Sequence, residues 1–241
     1  MPDTLRGLEV ILAGGSGGLG SATAELLAGE SARLVVSFRS NAERAARLKA
    51  LGARIVQADL SSAEDRRRLL DTADELYGLV VFAGEPARVT EPDQFELVLR
   101  RSLEVNLMGP LLLAREAAQR LKARGTPGAI VLFSTMQAAA PFAGSLAYAV
   151  PKAALLFAAR VLAKECRGPA NIRVNVICPG VMAAGMAQAS IASGKYDYYL
   201  KERFIPRFGR ALDVARAVRF LLEPDNYITG QVLMVDGGLT L

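Results

Sequence analysis

Short apolar runs rich in β-branched residues alternate with longer helical patterns along the chain, and this alternation restricts the fold more than any other feature. The apolar runs are at residues 8–13, 34–38, 54–57, 79–83, 130–134, 173–177 and 231–235. The helical patterns are at residues 18–27, 42–51, 63–73, 93–124, 146–166 and 212–222. Continuously apolar strands separated by helices of this length are typical of a parallel sheet covered by helices on both faces.

The alternation is not interrupted by a linker or a low-complexity segment. A chain of 241 residues with 51% hydrophobic content can bury a large core. We therefore expect a single α/β domain that spans residues 1–241.

The formal net charge of +5 raises the question of an acidic partner. A run of three arginines that begins at Arg66 follows Glu64 and Asp65, and we interpret it as a solvated helix face. The sequence Ser61-x-x-Glu64 has the form of a capping box at the start of this helix. Since no nucleic-acid motif or aromatic-basic interleaving accompanies the charge, we expect no nucleic-acid partner.

The composition excludes several kinds of chemistry. The chain has no histidine, which excludes a Ser/His/Asp triad, histidine metal ligands and acid/base catalysis by imidazole. Its two cysteines, Cys166 and Cys178, lie in apolar surroundings with a spacing that suggests neither a disulfide framework nor a metal site. We expect buried free thiols and no metal.

The first six residues lack the charged start, apolar middle and cleavage site of a signal peptide. No apolar stretch reaches the ~20 uninterrupted residues that span a bilayer. We therefore expect a cytoplasmic protein with no membrane partner.

The first predicted strand leads directly into a glycine-rich turn and then a helix, with the sequence Ala13-Gly14-Gly15-Ser16-Gly17-Gly18-Leu19-Gly20. Glycine permits a tight turn and a close approach of the backbone to a ligand, and free amides at a helix N-terminus attract a pyrophosphate. A glycine-rich turn alone is a weak signal, but its place after the first strand strengthens it. We predict that Gly14, Ser16, Gly18, Leu19 and Gly20 bind a dinucleotide.

The second predicted strand ends near Arg39 and Ser40, with no acidic residue at positions 37–40. An acid here would bind the ribose diol of NAD, whereas Arg and Ser suit a 2′-phosphate. We therefore predict that NADP(H) is preferred over NAD(H). The alternative is that Arg39 is a solvated loop cation.

The ends of the third and fourth predicted strands offer further cofactor contacts. Asp59 and Leu60 are placed to meet the adenine, although Asp59 would equally suit a loop or a cap. Ala83 and Gly84 are small enough for the backbone to lie against the cofactor.

Tyr148 and Lys152 are four residues apart in an apolar helical pattern, which puts both side chains on one helix face. A fixed ammonium near a phenol favours the phenolate, so we expect Lys152 to lower the pKa of Tyr148 toward the range useful for proton transfer. This spacing also arises by chance, and the alternative is a surface tyrosine beside a solvated lysine.

The motifs together resemble the short-chain dehydrogenase/reductase (SDR) family, and 3-oxoacyl-ACP reductases in particular. The resemblance rests on the turn glycines 14, 18 and 20, then Asp59, Ala83-Gly84, Val105-Asn106-Leu107, Ser134-Thr135, Tyr148-x3-Lys152, Cys178-Pro179-Gly180, and Gly230-Gln231 to Asp236-Gly237-Gly238. It covers almost the whole chain in order. It implies a Rossmann-type, doubly wound parallel sheet of seven strands in the order 3-2-1-4-5-6-7, flanked by helices on both faces, in a homotetramer or, alternatively, a homodimer.

The resemblance also implies roles for residues of this sequence. Tyr148 would be the general acid, and Lys152 would lower its pKa and hold the nicotinamide ribose. Asn106 would bend its helix and hold a water that relays protons to Lys152, or else be a polar residue tolerated at a helix irregularity. Thr135 would orient the substrate, with Ser134 as the alternative hydroxyl. The remaining implied cofactor contacts are Pro179, Gly180 and Val181.

Five positions depart from the family pattern. Val81 and Phe82 replace two asparagines that brace the cofactor site, and Gly17 stands where NADP-binding members often have a basic residue. Ala184 replaces a threonine near the nicotinamide, and Pro151 falls inside the catalytic helix, where it would remove a hydrogen bond and shift the Tyr148 and Lys152 geometry.

Residues 182–210 should form the substrate-binding loop. Its apolar and phenolic side chains offer a lining for an apolar substrate. These are Met182, Met186, Tyr196, Tyr198, Tyr199 and Phe204. Helix packing or a subunit contact is an equal alternative.

The sequence therefore predicts an NADP(H)-dependent oxidoreductase that interconverts a ketone and a secondary alcohol, a small-molecule substrate, with 3-oxoacyl thioester reduction as one substrate class. The alternative is a catalytically impaired SDR-fold protein that binds a nucleotide in a regulatory or scaffold role.

Overall fold

The computed structural model describes residues 4–241. The first three residues, which belong to the predicted domain and to the segment predicted to lack a signal peptide, lie outside the described residues. Seven parallel strands form one sheet in the order β3-β2-β1-β4-β5-β6-β7. The strands are β1 (Glu9–Ala13), β2 (Arg33–Phe38), β3 (Arg54–Gln57), β4 (Leu76–Val81), β5 (Gly128–Phe133), β6 (Ile172–Pro179) and β7 (Val232–Val235). The predicted strand order is confirmed.

The predicted fourth strand is displaced in the structure. It begins earlier than predicted because Leu76 and Tyr77 are buried in the sheet, and it ends at Val81. Phe82 still donates a main-chain hydrogen bond to Ala13, but Ala83 has left the sheet. The chain after Val81 is therefore free to form a loop beside the end of β1.

Nine α-helices connect the strands of the described residues. They are α1 (Gly18–Gly29), α2 (Ala42–Arg47), α3 (Ala63–Asp71), α4 (Phe95–Leu103), α5 (Gly109–Arg124), α6 (Leu146–Glu165), α7 (Gln188–Ala192), α8 (Asp197–Lys201) and α9 (Ala211–Leu222). The predicted helical segment over residues 93–124 is present, but it is not α-helical throughout. A π-helical turn, Glu104–Met108, separates α4 from α5, and a 3-10 turn, Pro92–Gln94, precedes α4.

The two faces of the sheet bury two apolar cores, because successive strand side chains point to opposite faces. Ile11 and Ala13 of β1 face the core formed with α3, α5 and α6, whereas Val10 and Leu12 face the core formed with α1 and α9. The predicted doubly wound architecture is confirmed.

The start of α3 differs from the prediction. Ser62, rather than Ser61, caps the helix, since its hydroxyl accepts a hydrogen bond from Asp65 N at 3.3 Å. Ser61 instead donates its hydroxyl to Asp59 at 2.7 Å. The serine assigned to the capping box therefore serves the loop that precedes the helix.

The solvated-face interpretation of the arginine run was wrong for its first member. Arg66 is buried, donates to the carbonyl oxygen of Leu60 at 2.8 Å, and pairs with Glu116 of α5 at 3.0 Å. Its guanidinium therefore ties the loop after β3 to two helices.

Helix α6 is the one helix of residues 4–241 that is long and apolar enough to cross a membrane by length and composition. Lys152 and Arg160 interrupt its apolar sequence, so the expectation that no uninterrupted apolar stretch reaches about 20 residues is not contradicted. Leu155, Ala159 and Leu162 of α6 are buried in the core that it forms with α3 and α5, so part of its apolar surface packs inside the protein.

Candidate active site

A cavity of about 540 Å³ opens at the carboxyl ends of the strands. Ligands of open α/β sheets bind at this edge, where the strand order reverses between neighbouring crossovers. All the predicted site residues except Asn106 line the cavity. They are Gly14, Ser16, Gly18, Leu19, Gly20, Arg39, Ser40, Asp59, Leu60, Ala83, Gly84, Thr135, Tyr148, Lys152, Pro179, Gly180 and Val181.

The turn after β1 needs glycine for conformation and for space. Gly14 has a φ of +73°, in the left-handed region, and a Cβ there would lie 2.9 Å from Ala83 N. A Cβ on Gly20 would lie 2.5 Å from the Cα of Gly15. The turn thus packs too tightly for side chains and presents the first amides of α1 to the cavity.

The loop after β6 lies directly on this turn. A Cβ on Gly18 would come within 2.7 Å of Gly185 N, and Gly185 has a φ of +60°. Gly180, at the other end of the loop, would place a Cβ 2.7 Å from Asp236. The loop is therefore held between the glycine-rich turn and the C-terminal strand.

The end of the cavity beside β2 and β3 carries both acidic and basic side chains. Asp59 accepts hydrogen bonds from Ser61, and these bonds, together with Arg39 and Arg101, hold its pKa below the usual value. Arg39 lines the cavity, and its guanidinium donates a hydrogen bond to the carboxylate of Glu85 at 3.2 Å, so it is not simply a solvated loop cation. Arg44 also lines this end and was missed by the sequence analysis.

Asn106 lies behind the cavity wall in the π-helical turn and is fully buried. Its amide donates to Ser102 at 2.8 Å and to the carbonyl oxygen of Glu85 at 3.0 Å, and its oxygen accepts from Glu85 N at 3.0 Å. The predicted local irregularity of the helix is present, and Asn106 uses it to hold the loop after β4.

Tyr148 and Lys152 lie in the first two turns of α6. Lys152 is buried, and its Nζ donates to the carbonyl oxygen of Phe133 at 3.0 Å. Burial lowers the pKa of Lys152 to about 8, while nearby Cys178 acts in the opposite direction. Nζ also lies close to Gly84, where a Cβ would be 3.0 Å away.

The predicted direction of the Tyr148 pKa shift was wrong. Burial raises the pKa of Tyr148 to about 12, since it removes water from the phenolate. The ammonium of Lys152 is directed at Phe133 rather than at the phenol. Tyr148 is thus a protonated phenol at neutral pH.

The two hydroxyls after β5 have different surroundings. Ser134 donates to the carbonyl oxygen of Lys152 at 2.7 Å and so braces α6. Thr135 caps a short 3-10 turn, where its hydroxyl accepts a bond from Gln137 N at 3.3 Å. Because that contact leaves the Thr135 proton free to donate, Thr135 is the better placed hydroxyl of the two for a ligand.

Comparison with known proteins decides the family. Residues 13–240 match the family model described as enoyl-(acyl carrier protein) reductase. "Dehydrogenase/reductase SDR family member 4" of Homo sapiens is 32% identical over 248 residues, which cover 98% of this chain and 88% of that protein. The chain belongs to the short-chain dehydrogenase/reductase family. The SDR fold and the oxidoreductase class are thereby shown, as is the family's use of a nicotinamide cofactor and a small-molecule substrate.

Two further SDR relatives bear on the chemistry. The 3-oxoacyl-[acyl-carrier-protein] reductase of Rattus norvegicus is 33% identical over 237 residues, covering 95% of this chain and 96% of that protein. The solved structure of NADPH-dependent 3-quinuclidinone reductase from Rhodotorula rubra superimposes with a TM-score of 0.85 at 26% identity, covering 98% of this chain and 92% of that chain.

The positions that depart from the SDR pattern are accommodated by packing. The Phe82 ring packs on that of Phe133 with centroids 4.4 Å apart, and Val81 is buried in β4. Apolar contacts therefore stand where the family's asparagine side chains would form hydrogen bonds. Helix α6 continues through Pro151 without a break, and the predicted effect of Pro151 on the Tyr148 and Lys152 geometry stays a prediction. Ala184 brings no hydroxyl to the cavity wall.

The predicted substrate loop is only partly confirmed as lining. Met182, Met186 and Tyr196 line the cavity. The other three aromatic residues pack on one another instead, with the Tyr198 ring centroid 5.6 Å from that of Phe204 and 6.0 Å from that of Tyr199. Two cations absent from the prediction, Arg88 and Lys195, lie in the wall at the same end.

The site fits a nicotinamide dinucleotide. The glycine-rich turn and the start of α1 line the cavity, where the free amides at the helix N-terminus would bind a pyrophosphate. Basic side chains at one end and the Tyr148 and Lys152 pair at the other suit the two ends of such a molecule.

Proposed function

We propose that the protein is an NADP(H)-dependent oxidoreductase that interconverts a ketone and a secondary alcohol, with 3-oxoacyl thioesters as one substrate class. One observation carries the proposal. A single cavity is lined by the glycine-rich turn and Arg39 at one end and by Tyr148, Lys152 and Thr135 at the other.

The cofactor would lie along the sheet edge. Amides of the turn at Gly14 to Gly20 would bind the pyrophosphate, Arg39 and Ser40 the 2′-phosphate, and Asp59 and Leu60 the adenine. When bound, the nicotinamide supplies or accepts the hydride. The absence of an acidic side chain at positions 37–40 and the NADPH dependence of a structural relative support the choice of NADP(H).

The remaining residues around the nicotinamide end would be Ala83, Gly84, Pro179, Gly180 and Val181. Gly84 is pressed between Asn106 and Lys152, so a side chain there would displace one of them. Lys152 would therefore be held where it reaches both the ribose and the reacting oxygen.

Three side chains would stabilise the charge that develops on the substrate oxygen. Tyr148 donates its proton, and its pKa of about 12 keeps it protonated until the oxygen becomes basic. Lys152 stays cationic below about pH 8 and offsets the negative charge. Thr135 donates a hydrogen bond to the same oxygen. These interactions strengthen as the alkoxide forms, so they favour the transition state.

Substrate and assembly follow from the surroundings of the cavity. Met182, Met186 and Tyr196 would contact an apolar substrate body.

The outward face of α6 exposes large apolar side chains, which would be covered in a homotetramer or, alternatively, a homodimer. These are Leu146, Val150, Phe157 and Val161.

The proposal is tested by oxidation of NADPH, followed by the absorbance of the reduced nicotinamide, against acetoacetyl thioesters, cyclic ketones, quinones and diketones. NADH is run in parallel. We expect turnover that is lost in Tyr148→Phe and retained in Tyr227→Phe, a control at a fully exposed tyrosine. Failure to bind either cofactor would refute the proposal.

A second candidate is an SDR-fold protein that binds the nucleotide without turnover. Val81 and Ala184, which lack the family's polar side chains, favour it. NADPH binding with no turnover across the panel supports this candidate, whereas turnover that requires Tyr148 excludes it.

A further inference from the structure

Glu85 lies at the centre of a charge cluster next to the adenosine end of the cavity. Arg39 donates two hydrogen bonds to its Oε2, at 3.2 and 3.3 Å. Arg101 of α4 donates to both carboxylate oxygens, with Nη2 at 3.0 Å from Oε2. One carboxylate thus serves two guanidinium groups that come from different parts of the chain.

The Arg39–Glu85 pair crosses the sheet edge. Arg39 follows the last residue of β2 and Glu85 follows β4, and these two strands flank β1 on opposite sides. The pair therefore spans the carboxyl end of β1, where the glycine-rich turn begins. Arg39 lines the cavity, whereas Glu85 and Arg101 do not, so Glu85 would act on a bound dinucleotide through Arg39 and through its charge rather than by direct contact.

Glu85 is fixed, and Arg39 is the mobile partner. Both the N–H and the C=O of Glu85 are bound by the side chain of Asn106, and its own side chain is only 17% exposed. The Arg39 side chain is 44% exposed. A guanidinium with this freedom can turn toward a phosphate while the carboxylate stays in place.

The charges determine the sign of the effect. Burial acts to raise the pKa of Glu85, but hydrogen bonds from Arg101 and Arg39 outweigh it and hold the pKa below its usual value, so Glu85 is ionised. An ionised carboxylate competes with a 2′-phosphate for Arg39, and its negative charge also repels the phosphate. Arg101 neutralises part of that carboxylate and weakens both effects.

We propose that Glu85 is a positioning residue for cofactor choice, whose carboxylate competes with the 2′-phosphate for Arg39, and that Arg101 moderates this competition. This inference rests on the part of the proposed function that assigns NADP binding to Arg39. Binding of NADP exchanges the Arg39–Glu85 pair for an Arg39–phosphate pair, while Arg101 stays on Glu85. NAD, which has no 2′-phosphate, leaves the pair intact.

Two substitutions should act in opposite directions. Glu85→Gln should strengthen binding of NADP by about three- to tenfold, and Arg101→Gln should weaken it by a similar factor, since pairs of this exposure couple modestly. Binding of NAD should change less than about twofold in both. In the double variant, the loss of Arg101 should have little further effect, because its partner is already neutral.

The experiment measures Kd by calorimetry for oxidised NADP, oxidised NAD and adenosine 2′,5′-bisphosphate, which carries the 2′-phosphate without the nicotinamide. Matched controls are Glu96→Gln and Arg100→Gln, an exposed ion pair on the same helix α4. Both controls should leave all three constants unchanged. The gain in NADP affinity of Glu85→Gln should shrink at high salt, since salt screens the repulsion between Glu85 and the 2′-phosphate that this substitution removes.

The results separate this inference from the proposed function. Weaker binding of NADP in Glu85→Gln would overturn the inference, because Glu85 would then orient Arg39 for the phosphate. Equal changes for NADP and NAD would also overturn it, since Glu85 would then act on the loop shape alone. If the unmodified protein bound none of the three ligands, the proposed function would fail together with the inference.

Discussion

The ammonium of Lys152 donates a hydrogen bond of 3.0 Å to the carbonyl oxygen of Phe133, the last residue of β5. This bond fixes a buried cation against the sheet edge instead of against the phenol of Tyr148. No carboxylate of the described residues forms an ion pair with Lys152. The site therefore holds a buried charge that lowers the stability of the folded protein.

Lys152→Met should raise the stability of the protein while abolishing turnover. A pKa lowered from 10.5 to about 8 corresponds to about 3 kcal/mol of destabilisation at neutral pH. Loss of the bond to Phe133 offsets about 1 kcal/mol of that gain. Urea unfolding at pH 7 should show a net gain of about 1–2 kcal/mol. Lys164→Met, at an exposed position of the same helix, is the control.

The same linkage gives the unmodified protein a stability that rises with pH. Between about pH 8 and 10 the unfolded chain still binds a proton at Lys152 that the folded protein has released, so unfolding becomes less favourable as pH rises. Above pH 10 the raised pKa of Tyr148 acts in the opposite direction. Unfolding curves of the unmodified protein and Lys152→Met should therefore converge as pH approaches 10. Parallel curves would contradict this prediction.

Reduction should depend on the same titration. The kcat/KM for ketone reduction should be level up to about pH 8 and then fall about tenfold per pH unit, because the site loses the Lys152 cation. Tyr148, with a pKa of about 12, remains protonated throughout. Measuring the cofactor Kd at each pH separates a loss of binding from a loss of proton transfer. A level profile to pH 10 would show that the charge is not required.

The sheet and its helices could be predicted because their signals are local. Apolar runs and the glycine-rich turn each lie within a few neighbouring residues, and a parallel strand order follows once the family resemblance is recognised. The interruption of the helix at Glu104–Met108 was signalled only by Asn106, and no periodicity in the sequence showed where α4 ended.

The electrostatics of the site could not be predicted, because they depend on burial and on distant partners. The sequence places Lys152 one turn from Tyr148 but does not show that the carbonyl oxygen of Phe133 accepts its hydrogen bond or that water is excluded from both side chains. The pair of Arg39 with Glu85 could not be predicted from the residues that follow β2, because the two partners are 46 residues apart in sequence. An acid directly after Ala83-Gly84 was the available signal.

Gly18→Ala should impair cofactor binding where Gly17→Ala does not. A Cβ on Gly18 would lie 2.7 Å from the backbone nitrogen of Gly185, so the loop after β6 must move off the turn. A Cβ on Gly17 would meet nothing closer than 3.5 Å, and its φ of -72° suits any residue. We expect Kd for NADPH to rise at least about tenfold in Gly18→Ala, since the displaced loop also lines the cavity beside the turn. Equal affinities for the two variants would contradict the packing argument.

Substitution of the two hydroxyl residues after β5 should separate catalysis from support. Thr135→Val removes the hydroxyl that faces the cavity while keeping the shape, and we expect kcat to fall about 10²-fold with KM for NADPH unchanged, as for loss of one donor to an oxyanion. Thr135→Ser should retain most activity, because the donor remains.

Ser134→Ala should act on stability instead. Its hydroxyl donates to the carbonyl oxygen of Lys152 inside the protein, so its loss should lower the free energy of unfolding by about 1–2 kcal/mol and reduce kcat only as far as α6 shifts. Kinetics and urea unfolding of the three variants decide the assignment. If Ser134→Ala lost as much kcat as Thr135→Val without losing stability, Ser134 would be the hydroxyl that contacts the substrate, and the bond to Lys152 would have to open during the reaction.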